Sequence, residues 1–248
     1  MIVGDFLKNN ILLLGGSGTL GRYIIKSNLF SNLKYPTKNN LNILNQNKIE
    51  RFIINNKINI ILHCAAFARV KECENNKKKA SKINIIGTSN VVKAILNTNK
   101  NINLIFISSD SVYPPNKGNN KENDKLQPYN FYGWTKLLAE EYVKQIKNHV
   151  IVRTRFFDKN NIPFKYSAKN IYTSGLEVSE LVKYISKLII KNFQGIINVG
   201  GPKISDFKNY SKYKKNIKSC DKSKIFKNLN LKIATNASLN ISKLKRLL

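Results

Sequence analysis

The chain has 248 residues, 42% of them hydrophobic, which is enough for one large α/β domain or one domain with a small appendage. The formal charge of +29 points toward polyanions, yet only six of the 43 basic residues are Arg and the lysines are scattered rather than clustered with aromatics; this argues against a specific nucleic-acid reader and leaves a low-salt attraction for anions. Cys64, Cys73 and Cys220 have no metal-ligand or redox spacing, and no long apolar run occurs, so a reducing, cytoplasmic setting without a membrane span is expected.

Met1 to Asn10 lacks an apolar core or cleavage site, and no signal peptide is expected there. Ile11 to Leu14 is a short continuous apolar run, as in a buried parallel strand, and it ends in Gly15-Gly16-Ser17-Gly18-Thr19-Leu20-Gly21. Gly15, Gly18 and Gly21 form G-x-x-G-x-x-G. The early glycines let the backbone turn and approach a pyrophosphate, and the last lets a helix pack on the strand. That helix runs from about Thr19 to Phe30, with Leu20, Ile24, Ile25 and Leu29 on one face.

Leu33 to Thr37 reads as a second strand, followed by Lys38. An acid at this place binds the ribose hydroxyls of NAD, whereas a base accommodates the 2′-phosphate of NADP. No acid stands between Phe30 and Ile49, so Lys38 tilts the expectation toward NADPH. Ile43 to Asn56 reads as a helix and Ile58 to Cys64 as a third strand, continuing into Ala65-Ala66-Phe67-Ala68, small residues that let a ligand near the backbone. A later helix carries Ile83, Ile86, Val91, Ala94 and Ile95 as its apolar face. Asn84 stands on that face as either a buried hydrogen-bonding position or an edge residue.

Ile102 to Ile107 is the fourth strand and ends in Ser108-Ser109-Asp110-Ser111-Val112-Tyr113. Ligands of open α/β sheets bind beyond the carboxyl ends of strands, so these hydroxyls and Asp110 face the expected crevice; a Ser-rich turn with Asp110 as a cap is the alternative. Val150 to Arg153 is the fifth strand, Glu177 to Lys191 a helix, and Gly195 to Gly200 another strand. The lysine-rich stretch from Lys208 to Lys227 reads as a solvated surface. His63 and His149 have no ligand partners at suitable spacing, so no metal site is expected.

Tyr132-Gly133-Trp134-Thr135-Lys136 organises the rest. Tyr followed four residues later by Lys also occurs at Tyr113 and Tyr210, but Pro114-Pro115 denies the first a helix interior and only Tyr132 opens an amphipathic helix. Four residues apart on a helix, phenol and ammonium share a face, and a nearby cation favours the phenolate of a group whose ordinary pKa is about 10. A carbonyl reductase needs such a proton donor.

With the glycine motif, Asn84, Ser109, Tyr132 and Lys136 in that order, the chain resembles an extended short-chain dehydrogenase/reductase. The stretches from His63 to Glu74, Ser108 to Tyr113, Tyr132 to Glu140 and Ser238 to Leu244 look like the dTDP-4-dehydrorhamnose reductase family and its sugar-nucleotide relatives. The resemblance implies a Rossmann-type doubly wound parallel sheet binding NADP(H), with NAD(H) as the alternative, and a small α/β C-terminal substrate lobe. It implies Tyr132 as donor to a C4 ketone, Lys136 on the nicotinamide ribose, and Ser109 on the ketone oxygen. Gly18, Thr19 and Leu20 would line the pyrophosphate, Asn42 and Ile43 the adenine, and Ala65, Ala66 and Phe67 the far side of the cofactor. Asp110 and Phe156 would meet a nucleotide-sugar substrate. The family usually has Asp at Asn42 and Lys71 and Trp at Phe156, and its passage corresponding to Phe157 to Tyr172 is longer.

The expected division is a dinucleotide-binding domain over residues 1–153 and a shortened substrate lobe over 154–248. The expected activity is NADPH-dependent reduction of a 4-keto-6-deoxy sugar nucleotide in deoxysugar and polysaccharide synthesis. Its rivals are a sugar-nucleotide epimerase or dehydratase, a non-catalytic NAD(P)-binding regulatory subunit, and charge-driven nucleic-acid binding. A homodimer is left open.

Overall fold

The computed structural model describes residues 9–227 and 233–248. The expectation about a leader in Met1 to Asn10 therefore lies almost entirely outside the described residues. Six parallel strands form the central sheet: β1 (Ile11–Leu14), β2 (Leu33–Lys34), β3 (Ile60–His63), β4 (Asn103–Ile107), β5 (His149–Thr154) and β10 (Gly195–Val199). Their order is β2-β1-β3-β4-β5-β10, so the chain reverses its direction of travel between β1 and β3. In open α/β sheets such a reversal leaves a crevice at the carboxyl ends of the two strands.

The continuous apolar runs are explained by helices on both faces. Ile11 and Leu13 pack with Leu20 and Ile24 of α1 (Thr19–Ser27) and with Leu181 and Ile185 of α7 (Val178–Ile190). Leu12 and Leu14 point the other way, toward Ile49 and Ile53 of α2 (Gln46–Asn55), Val91 and Ile95 of α5 (Gly87–Asn97), and Ala139 and Val143 of α6 (Phe131–Val143). Strand alternation thus feeds two cores from one sheet.

Several elements are shorter than their apolar pattern. Helix α1 stops at Ser27 because Asn28 takes a left-handed conformation with φ 53°, and Leu29 is turned out to 41% exposure. Strand β2 ends at Lys34, two residues before Pro36, which has no N–H for a ladder. Helix α2 begins only at Gln46, where the Asn45 side chain accepts from the Lys48 N–H.

The short helices α3 (Val70–Asn75) and α4 (Lys77–Ser81) lead into a single π turn at Lys82–Ile86, which continues into α5. The extra residue shifts the helical phase. Ile86, expected on the apolar face, is 52% exposed, while Asn84 is buried.

The C-terminal part does not form a separate layer. Strand β10 pairs with β5 from Gly195↔Val150 to Val199↔Thr154, and α7 covers the same core as α1. A boundary at 153/154 therefore passes through the central sheet. What stands apart is a set of two-stranded pairings: β6 (Phe156–Phe157) with β9 (Leu176–Glu177), β7 (Tyr166–Ala168) with β12 (Lys218–Cys220), and β8 (Tyr172–Thr173) with β11 (Ile204–Ser205). Helices α8 (Asp206–Tyr210) and α9 (Lys222–Phe226) accompany them, and α10 (Ser242–Leu247) returns to the main body with Leu244 buried in the α7 core. Among the described residues no helix is long and apolar enough to cross a membrane.

Candidate active site

A cavity of about 470 Å³ opens at the sheet's reversal point, between the glycine loop after β1 and the residues after β2 and β3. Gly15 has φ +94°, and a Cβ there would lie 2.6 Å from the Ala65 backbone nitrogen, so only glycine fits between the two strand ends. Gly21 lies against the backbone of Gly15 and Gly16 where α1 crosses the loop, with no room for a Cβ. Of the residues expected to hold a dinucleotide, Gly15, Gly18, Lys38, Asn42, Ile43, Ala65 and Ala66 line this cavity.

Thr19, Leu20, Gly21, Phe67, Asn84, Tyr132 and Lys136 are not on its wall. Leu20 belongs to the core beneath α1. Asn84 acts behind the cavity: its Oδ1 accepts from the Phe67 N–H at 2.7 Å, and its Nδ2 donates to Phe67 O at 3.0 Å and Thr135 Oγ1 at 2.9 Å. It thereby ties the loop after β3 to α6. The sequence reading did not anticipate Ser17, Tyr35, Cys64 and Ile83 on the cavity wall. Ser17 was legible as the one side chain between Gly15 and Gly18; Ile83 looked like any core residue. Lys38 also borders a second, more polar recess together with Asn45 and Lys48.

Helix α6 begins cleanly because Asn130 caps it, its Oδ1 accepting from the Gly133 N–H at 2.7 Å. Lys136 is 2% exposed, and its ammonium lies 3.8 Å from the centre of the Phe106 ring on β4. Burial drops its pKa to about 7, against the opposing pull of Glu140 and Cys64. Tyr132 is partly buried. Its phenol is raised above the usual tyrosine range, first by burial and then by the charge of Asp110, with a hydrogen bond to Ser109 and the cation of Arg155 acting the other way. Burial outweighs every influence that favours the phenolate, so the phenol lies above its ordinary value rather than below it as the helical neighbour Lys136 led one to expect.

Ser109 follows β4. Its Oγ accepts from the Ser111 N–H at 3.1 Å and donates to Asp110 Oδ1 at 3.2 Å. Asp110 is 2% exposed, and its Oδ2 accepts from Arg155 Nε at 2.6 Å. Its carboxylate is therefore engaged by protein groups. Phe156 and Phe157 separate by strand alternation: Phe156 packs against the core that α1 and α7 share, whereas the Phe157 ring meets Tyr210 edge-on at 5.1 Å.

Beneath the site runs a buried network that the sequence reading missed. Glu140, four residues after Lys136, accepts from Ser108 Oγ and from Arg153 at Nε (3.1 Å) and Nη2 (2.7 Å). Arg153 Nη1 donates to the Tyr113 hydroxyl at 3.0 Å, which donates to Asn198 Oδ1 at 2.8 Å. Asn198 on β10 in turn donates to the carbonyls of Asn120 and Asn240. The available signal was Arg153 itself, a cation in an otherwise apolar strand, which requires a buried partner.

Comparison with known proteins bears on the whole arrangement. Methionine adenosyltransferase 2 subunit beta of Bos taurus is 31% identical over 142 residues, 54% of this chain and 42% of that protein. The dTDP-4-dehydrorhamnose reductase of Mycolicibacterium smegmatis is 27% identical over 155 residues, 60% of this chain and 46% of that protein. The matched segments thus span about half the length of these curated relatives. The crystal structure of dTDP-4-dehydrorhamnose reductase from Bacillus anthracis in complex with NADP superposes with a TM-score of 0.84, covering 96% of this chain and 92% of that one at 22% identity, which supports the fold. A family model described as RmlD substrate binding domain matches residues 9–166, from the strand before the glycine loop through the Tyr132 helix and β5, and the chain belongs to that family.

Proposed function

We propose that the chain reduces the C4 ketone of a 4-keto-6-deoxy sugar nucleotide with NADPH, as a step of deoxysugar and surface-polysaccharide synthesis. The observation that carries this reading is the meeting of Ser109, just after β4, with Tyr132 of the helix that also bears Lys136, beyond the same carboxyl ends of the parallel strands as the glycine-walled cavity. The cavity's lining fits a dinucleotide: Gly15, Gly16 and Gly18 put backbone on its wall at the start of α1, where a pyrophosphate would meet helix N–H groups, and Ala65 and Ala66 add only small side chains. When bound, the nicotinamide supplies a hydride. Lys38 and Lys48 flank the recess next to the cavity, which supports NADP(H) over NAD(H); the Bacillus anthracis neighbour was solved with NADP.

In this reading Tyr132 gives its proton to the ketone oxygen. Burial keeps the phenol protonated at neutral pH, so the donor is loaded before substrate arrives. Ser109 hydrogen-bonds the same oxygen, and Lys136 in its protonated form offsets the developing negative charge. A panel of 4-keto-6-deoxy nucleotide sugars mixed with NADPH or NADH, followed by loss of reduced nicotinamide, tests the proposal. Substituting Tyr132→Phe should abolish turnover with cofactor binding nearly intact; retained turnover would remove Tyr132 from the chemistry.

The similarity to a methionine adenosyltransferase subunit favours a second reading, a non-catalytic NAD(P)-binding regulatory subunit. Cofactor binding without consumption by any sugar, together with co-purification of a larger enzyme, would select it.

A further inference from the structure

Arg153 lies in β5 beneath α6, and Arg155 follows two residues later. The deeper one closes on Glu140. The outer one, just beyond the end of β5, closes on Asp110 at 2.6 Å while keeping 31% of its side chain exposed. Two ion pairs thus run side by side, one under the helix and one at the rim where Tyr132 and Ser109 meet. The Glu140 pair explains how α6 is held. The Asp110 pair has no such structural duty, because Asp110 lies in a turn after β4 whose backbone is already fixed: the Ser111 N–H bonds Ser109 Oγ and the Tyr113 N–H bonds Asp110 O.

We propose that Arg155 is a positioning residue of the proton-donating centre: by clamping one oxygen of Asp110 it turns the other toward the Ser109 hydroxyl and offsets part of the carboxylate charge that faces Tyr132. The proposal rests on the reading of Tyr132 as the proton donor. Asp110 is 2% exposed, so water cannot dissipate its charge, and its two oxygens are divided between Arg155 on one side and the Ser109 and Ser111 hydroxyls on the other. A phenol that must become phenolate beside an uncompensated buried carboxylate does so at higher cost.

The surroundings define which charges matter. Tyr132 is faced by Asp110 and Ser109 from the turn after β4, by Cys73 from α3 and by Arg155 from beyond β5, while Lys136, with its pKa at about 7, lies four residues along the same helix. Burial and two glutamates push the Cys73 thiol up to about 11, so it is neutral across the working range. Arg155 is faced by Asp110, Tyr129, Asp206 and Tyr210. Asp206, its second acid, already has a partner in Thr173 Oγ1 at 3.2 Å and is raised by burial, which leaves Asp110 as the main claim on the guanidinium.

The full chain with Arg155→Gln, Arg155→Lys and the double replacement Asp110→Asn/Arg155→Gln provides the test, with NADPH fluorescence titration as the control for folding. With a turned-over keto sugar, Arg155→Gln should lower kcat about tenfold and move the alkaline limb of the kcat profile up by about one pH unit, leaving the KM for NADPH unchanged. Arg155→Lys should fall in between. The double replacement, which removes both charges, should bring the alkaline limb back and recover part of kcat. An unmoved limb in Arg155→Gln, or a double replacement no better than the single one, would overturn the proposal. A fluorinated tyrosine at position 132, titrated by 19F NMR in the same backgrounds, needs no turnover. If no sugar is consumed, the reductase reading fails, yet the midpoint must still rise in Arg155→Gln and return in the double replacement; a midpoint indifferent to Arg155 overturns the proposal by itself.

Discussion

Glu140 and Arg153 meet with their side chains 0% and 1% exposed, the guanidinium gripping both carboxylate oxygens. Removing one partner leaves an uncompensated buried charge, which costs about 3–5 kcal/mol. Arg153→Met should therefore lower the urea midpoint steeply without changing the slope. Glu140→Met/Arg153→Met, with no charge left to strand, should lose less than the single replacement, and denaturant titration of both reads the difference.

The buried ammonium of Lys136 makes stability depend on pH in a direction that can be worked out. Its folded pKa is about 7 and its ordinary value is 10.5, so between these limits the unfolded chain holds a proton that the folded chain has released. Stability therefore rises with pH across that window. Below about pH 7 both states are protonated and the charged form carries its full burial penalty. Lys136→Met should be more stable than the parent at neutral pH, with the gap closing toward pH 10; thermal melts across the range check the sign.

His63 acts with the same sign at lower pH. Its folded pKa is driven down to about 3 by burial first and by Lys136 second, against an ordinary 6.5. The unfolded chain takes up a proton that the folded chain refuses, so stability is lost as pH falls from about 6.5 toward 3. His63→Gln, which keeps a polar partner for Thr88 Oγ1, should flatten the acid limb of the melting curve.

The recess between Lys38 and Lys48 sets an expectation about cofactor choice. A charge-assisted bond to a phosphate is worth about 1.5–3 kcal/mol, or roughly ten- to a hundredfold in affinity. Lys38→Asp should weaken NADPH binding by about that factor and leave NADH nearly unaffected. Equal losses for both cofactors, measured by fluorescence titration, would place Lys38 outside the recognition of the 2′-phosphate.

At Gly15 even one methyl group has nowhere to go. Gly15→Ala combines a left-handed backbone with a Cβ 2.6 Å from the Ala65 nitrogen, so it should both destabilise the fold and abolish dinucleotide binding, which a melt and a titration report separately.

Local signals carried much of this in the sequence. The apolar run before the glycine loop, the spacing of Gly15, Gly18 and Gly21, and the single helix able to carry Tyr132 and Lys136 all follow from rules spanning fewer than about ten residues. What stayed hidden depends on partners far away in the chain. Arg153 finds Glu140 13 residues earlier and Tyr113 40 residues earlier. Asn84 was ambiguous because its burial depends on a π turn that no periodicity announces. Asp110 could be placed after the fourth strand from local pattern alone, but Arg155, which engages it, sits 45 residues later behind an ordinary strand pattern.

The sixth strand has a bearing on how the chain is made. Pairing of β10 with β5 and the bonds that Asn198 makes back to Asn120 and onward to Asn240 depend on residues 195–199 and 240, synthesised well after the Tyr132 helix. A nascent chain that has emerged only through β5 holds the glycine loop, Ser109, Tyr132 and Lys136, yet presents a bare apolar strand edge where β10 will dock. Until translation delivers that last strand, the sheet is a template for mispairing, and the lysines around it are a source of repulsion between neighbouring nascent chains.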